Sequence, residues 1–180
     1  MAILSTDIKF KLAITSGSAG NSAAQPDPNA SLGKYISTTV ITDNTLNNLF
    51  DDISGDENAA STVDYRCVFI HNSHASLTLQ SPKAWISAEV SNGASVAIGL
   101  DTTAASAIGS ASAQALTIAN ETTAPAGVSF SAPTTKGAGI SLGNIPAGQC
   151  IAIWVRRTAA NNAALDNDGA TLKVEGDTAA

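Results

Sequence analysis

From Asp64 onward the chain is divided into short segments rich in β-branched residues, spaced at roughly the eight to twelve residues that separate strands in a sandwich or barrel. The segments are Tyr65–Asn72, Leu77–Gln80, Ala84–Val90, Val96–Leu100, Ala115–Ala119, Val128–Ser131, Gln149–Arg157 and Thr171–Glu175. Turn sequences separate them, with Asn92-Gly93 and Asp168-Gly169 suited to the positive φ of tight turns. Side chains in a strand alternate between two faces, so Ile86 and Val90, Val96, Ile98 and Leu100, Val128 and Phe130, Ile151, Ile153 and Val155, and Leu172 and Val174 form an inward set. Two sheets closing on that set give an all-β, antiparallel β-sandwich, either immunoglobulin-like or jelly-roll. The same alternation puts Trp85 and Trp154 on the opposite faces of their strands, so both tryptophans need a cover other than the main core.

The first 60 residues read differently from the body at 61–180, although the two together are the size of one domain. Asp7 to Ile14 alternates with period two, Ile8, Phe10, Leu12 and Ile14 on one side and Lys9 and Lys11 on the other, which predicts a half-buried strand. Ser16 to Leu32 is dominated by Gly, Ser, Ala, Asn and Pro. It predicts an extended arm, flexible in an isolated subunit and ordered against another chain. Lys34 to Ile41 returns to strand composition. Asp43 or Asn44 can cap one short helix over Thr45–Ile53, where Leu46, Leu49, Phe50 and Ile53 share a face. Thr102 to Gln114 is alanine-rich but has no charged face, and is read as a long loop.

Only 13% of residues are charged, while the chain has 33 Ala, 20 Ser, 18 Thr and 13 Asn, which excludes long salt-bridged helices and coiled coils. Nine basic against fifteen acidic residues, with no basic cluster, give no footprint for nucleic acid. No apolar run is long enough to span a bilayer, and the opening residues lack the basic and apolar regions of a secretory leader. Synthesis in a cytoplasm is therefore expected, with the sequons at Asn29 and Asn120 read as plain loop residues and Cys67 and Cys150 as buried free thiols.

No motif carries catalytic chemistry, and neither cofactor nor metal is expected. His71 and His74 are placed on a hairpin loop without further ligands nearby, so they read as solvated or hydrogen-bonding loop residues. Gly137–Gly143 lacks dinucleotide-fingerprint spacing, and Asp166-Asn167-Asp168-Gly169 lacks the closing Glu and the flanking helices of a calcium loop. No serine stands in a nucleophile-elbow context. Cys67, Trp85 and Cys150 follow the cysteine–tryptophan–cysteine order of immunoglobulin domains, but the spacing is poor and no bridge is inferred. Arg156 and Arg157 end the strongest strand and diverge to opposite faces, one able to meet an acid while the other reaches outward. With Trp85 and Trp154 they are the candidate interface residues.

The segments LNNLFDDISGDENA, DYRCVFIHNSHASLTLQSPKAWIS and IANETTAPAGVSFSAPTTKGAGISLGNIPAGQCIAIWVRRT together resemble a family of small virion structural proteins of tailed bacteriophages. The likeness spans roughly Ile8 to Asp177 and is most specific at Leu46–Asn58 and Gly143–Thr158. It implies a non-enzymatic capsid decoration or cement protein on the outer surface of the head, bound to the major capsid protein or other virion proteins. A homo-oligomer is expected, a trimer if three-fold positions are occupied. The alternative is a tail, head-tail connection or host-surface carbohydrate-binding sandwich, in which exposed Trp85 and Trp154 would stack on sugar rings.

Overall fold

The computed structural model describes residues 2–178; residues 1, 179 and 180, which the expected segments 1–60 and 61–180 include, lie outside it. The strands are β1 (Ile8–Ile14), β2 (Tyr35–Val40), β3 (Val63–Asn72), β4 (Leu79–Glu89), β5 (Ser95–Leu100), the two-residue β6 (Ser106–Ala107) and β7 (Ile140–Ser141), β8 (Gln149–Thr158) and β9 (Ala170–Thr178). The segments expected separately at Leu77–Gln80 and Ala84–Val90 are one strand, β4, and the short β6 and β7 lie where no strand was expected. All pairings are antiparallel. One sheet runs β2-β1-β3-β8-β5, with β6 also on β8, and the other runs β7-β4-β9. From β3 to β5 and again from β7 to β9, each strand lies in the sheet opposite to the one before it.

The core between the sheets follows from alternation. Val68 and Ile70 of β3, Ile98 of β5, and Ile151, Ile153 and Val155 of β8 meet Leu79, Ala84 and Ile86 of β4, with Leu142 and Ile145 closing one side. Leu172, Val174, Val96 and Leu100 pack at its margin, as the alternation predicts. Val90 departs from the pattern: it lies just past the end of β4 and is 40% exposed.

The other face of the large sheet is also apolar. Ala13, Ile36, Cys67, Phe69, Cys150, Ala152 and Trp154 form a second buried cluster under Ala115, Ile118, Leu116, Val128 and Phe130. Val128 and Phe130 therefore serve this outer layer rather than the main core. The segments expected as strands at Ala115–Ala119 and Val128–Ser131 cross the sheet irregularly, with only the single bridges Gly33↔Thr117 and Ile98↔Ser131. Their close approach needs glycine: at Gly33, φ is 97° and a Cβ would collide with the Leu116 carbonyl. A Cβ at Gly99 would press on Val128.

Two further expectations are corrected. Thr45–Ile53 is not helical, since Asn44 and Asn47 take positive φ values of 52° and 56° and turn the chain instead. The short helix is α1 (Gly55–Ala60), started by a capping box in which Ser54 Oγ accepts from Glu57 N and Glu57 Oε2 accepts from Ser54 N. The arm is likewise not free, because it is bonded to its own chain. Asn21 N donates to Ile36 O, Thr38 N to Ala23 O and Cys67 N to Ser31 O. Ser31 is wholly buried, its Oγ accepting from Ala13 N at 2.8 Å and donating to Cys67 O at 2.6 Å. Among the described residues no helix is long and apolar enough to cross a membrane.

Ser31→Ala strands the buried Ala13 amide and should cost about 1–3 kcal/mol, read as a lower urea midpoint. In the isolated wild-type subunit, residues 16–32 should resist limited proteolysis as well as the sandwich does. Rapid cleavage there would show that the seams to Ile36 and Cys67 do not hold the arm.

Candidate functional site

Arg157, near the end of β8, lies opposite Asp64 of β3 in the strand register. Its guanidinium donates to Asp64 Oδ2 through Nη2 at 2.8 Å and Nε at 3.2 Å, and to the Asp51 carbonyl through Nη1. Nη2 also reaches Asp51 Oδ1 at 3.3 Å. The Phe50 ring faces two cations, its centroid 4.7 Å from the guanidinium carbon of Arg157 and 5.2 Å from that of Arg66. Arg66 is wholly buried and donates to Asn29 Oδ1 at 2.9 Å and Glu121 Oε2 at 2.5 Å. This network fastens the Asp43–Ser54 loop to one end of the sandwich, with Leu49 and Phe50 packed against the core.

Beside that loop is a cleft of about 770 Å³, closed on its other sides by the turn around Asn92 and by residues 160–172. The walls are cross-linked. Asn58 Nδ2 donates to Asn162 O at 2.7 Å, Asn162 Nδ2 to Asn92 O at 3.3 Å, Ala94 N to Asp168 Oδ2 at 2.6 Å and Val96 N to Glu89 Oε1 at 2.7 Å. Glu57 is held below its ordinary pKa by its hydrogen bonds to Ser54. The lining contains no His, Cys or Lys, so it offers hydrogen bonds, carboxylates and apolar contact rather than a nucleophile with a base.

Of the sequence-derived candidates only Arg157 lines this cleft, and the other three fall elsewhere. Trp154 is wholly buried in the second cluster, and its Nε1 donates to Asp101 Oδ2 at 2.6 Å. Trp85 is buried within the same chain and belongs to neither cluster. Both tryptophans thus find their cover inside the subunit, which leaves neither one exposed to stack on a sugar. Arg157 is an interior staple, while Arg156 turns to the other face and lies 5.4 Å from the Phe130 ring centroid. The four candidates do not converge on one site. Sequence reasoning missed Asp101, whose Oδ1 accepts from Thr103 N at 2.7 Å and whose Oδ2 also accepts from Leu116 N at 3.0 Å. Its only sequence signal was an Asp at a strand end before two threonines, the pattern of an Asx turn.

His71 is not on a loop. It lies in β3 in a transverse row, opposite Lys9 of β1 and Cys150 of β8. Both ring nitrogens are buried without a hydrogen-bond partner among the described residues. Burial first, then Lys11 and Lys9, lower its pKa from the ordinary 6.5 to about 4. Burial pushes the Cys150 thiol up to about 12 and the Cys67 thiol well up, so neither is a ready thiolate. Both cysteines are free. His74 uses Nδ1 to accept from Ser76 N and Leu77 N, an internal turn contact. Among the described residues no group of three or more His, Cys, Asp or Glu is placed to hold a metal ion.

Compared with known proteins, the chain matches no family model, no curated protein and no solved structure.

Arg157→Met leaves the Asp64 carboxylate buried and uncompensated, a loss of about 3–5 kcal/mol. It should also open the 43–54 loop to protease, and adding Asp64→Asn should restore part of the stability. His71 contributes a pH dependence of known sign. The unfolded chain binds its proton near pH 6.5 and the folded chain only near pH 4, so stability is lost as pH falls through that window. His71→Phe should flatten this component when urea midpoints are compared at pH 7, 5 and 4.

Proposed function

We propose that the chain is a non-enzymatic virion structural protein of a tailed bacteriophage, a capsid decoration or cement protein that binds the outer shell of the head and stabilises it. The observation that carries this reading is where the two most specific segments of the family resemblance sit. Asp51, in Leu46–Asn58, and Arg157, in Gly143–Thr158, are joined directly at the cleft end of the sandwich, the buried guanidinium holding the more exposed aspartate. What the resembling segments share is therefore one shaped, stiff surface.

Other features support the same reading. The large sheet is covered on both faces, the long loops are bonded to the body, and the side chains are mostly small and rotamer-poor. Little entropy is then lost when such a surface docks. The net charge of −6 favours the outside of a shell over a lumen filled with nucleic acid. The buried ionic groups Asp64, Asp101, Arg66 and Arg157 are engaged in holding loops. A homo-oligomer, trimeric at three-fold positions, belongs to the proposal on the resemblance alone, since the tryptophans that would have needed a partner's cover are buried within the subunit. Synthesis in the host cytoplasm and assembly without nucleic acid, membrane or cofactor complete it.

A ligand that binds only the assembled shell stabilises that state by mass action. Particles from a gene deletion should therefore release their genome at lower temperature or lower chelator concentration than wild type, and added purified protein should restore the difference. Unchanged release, together with particles that lack tails or fail to adsorb, would overturn this assignment in favour of a tail or host-binding role.

A further inference from the structure

Five large apolar side chains are conspicuously exposed, and three of them, Leu46 at 66%, Leu165 at 43% and Val90 at 40%, stand on three different walls of the one end cleft. Loops of separate sequence origin thus bring apolar contacts to a shared concavity, where a soluble subunit gains nothing by showing them. The charge there is one-sided. Asp43, Asp51, Asp52, Glu89, Asp166 and Asp168 line the cleft against a single base, Arg157, which Asp51 and Asp64 already hold. Among these, Asp52 and Asp166 make no side-chain hydrogen bond or ion pair among the described residues.

We propose that this cleft is the docking site for a basic, apolar-anchored polypeptide segment of the shell protein. Large apolar anchors fill the space between Leu46, Val90 and Leu165, while Lys or Arg side chains meet the carboxylate rim. A second copy of this chain fits poorly: it carries a net charge of −6, Arg66 and Arg157 are buried, and Lys136 is paired with Glu175. A sugar lacks an open aromatic face to stack on, since Phe50 is occupied by two guanidinium groups. The inference deepens the decoration reading and rests on it only for the shell as the source of the segment.

The test uses the full chain and a capped peptide repeating Lys-Leu-Ala, with analogues carrying Glu for Lys or Ser for Leu. The lysine peptide should shift backbone amide resonances in residues 43–54, 88–94 and 162–169, and neither analogue should. Leu165→Asp should weaken binding at least about tenfold even though it adds negative charge, which isolates the apolar contact. Asp52→Asn with Asp166→Asn should weaken binding and lower its salt dependence, isolating the charge contact. Leu4→Asp, an exposed change outside the cleft lining, should do nothing.

Gene-deleted particles then separate the two readings. Uptake of wild type but not of Leu165→Asp supports the cleft as the shell contact. Equal uptake of both, with no peptide binding, overturns the cleft inference and leaves decoration standing. Peptide binding in the cleft with no uptake of wild type overturns decoration and leaves the cleft's chemistry supported. Equal binding of the Glu analogue, or a self-association in sedimentation that Leu165→Asp abolishes, overturns the basic occupant.

Discussion

Strand β8 is apolar on both faces, and most of the architecture follows from the need to dry it twice. Ile151, Ile153 and Val155 point into the sandwich, while Cys150, Ala152 and Trp154 point out of it. An ordinary two-sheet sandwich would leave Trp154 wet. Here the segment after β5 returns across the outer face, and Asp101 fixes it there by accepting from the Trp154 indole and from two backbone amides at once. The carboxylate is buried but well supplied with donors, so it holds an irregular lid without a strand ladder. Gln114 adds a second anchor, its Nε2 donating to Ala107 O and Ser106 Oγ while Oε1 accepts from Ile36 N.

Much of this was legible in the residues. Strands such as Phe10 to Ile14 or Ile151 to Val155 could be placed from their composition and oriented because side-chain direction has period two, even though both of their faces are buried. Alternation also showed that both tryptophans needed a separate cover. Its identity was not legible, since an irregular lid has no period: Leu116 and Ile118 resemble strand residues, and only the fold shows that Leu116 is held by Asp101 and Lys34, and Ile118 by the Leu32 carbonyl, rather than by a regular strand ladder. The helix was displaced for a comparable reason. Apolar spacing at Leu46, Leu49, Phe50 and Ile53 pointed to 45–53, but asparagines in left-handed conformations broke that segment, and the cap signal Ser54-x-x-Glu57 decided where helix could start.

The candidate site was less legible than the fold. Arg157 stood out as one of a pair at a strand end, but its meaning depends on Asp51, 106 residues away, and on Asp64, 93 residues away. No spacing rule links such positions. The same holds for the cleft, whose three exposed apolar residues come from three loops and look like isolated surface positions when read along the chain. Charge was legible only as a sum; its concentration around the cleft is a property of the topology.

That topology bears on how the molecule comes into being. Strand β4 is completed by β9, so Trp85 waits for Lys173 as its neighbour in the ladder. Strand β3 is completed by β8, and no tight hairpin joins consecutive strands from β3 to β5 or from β7 to β9. Pairings of such long range are slow to close and cannot be rehearsed locally while the chain is being synthesised. The large sheet therefore stays unfinished until β8 has left the ribosome and the small sheet until β9 has, and the loop-built end, which uses residues 160–172, waits with them. Completion of the fold and completion of the cleft end arrive together, so an incomplete chain presents neither.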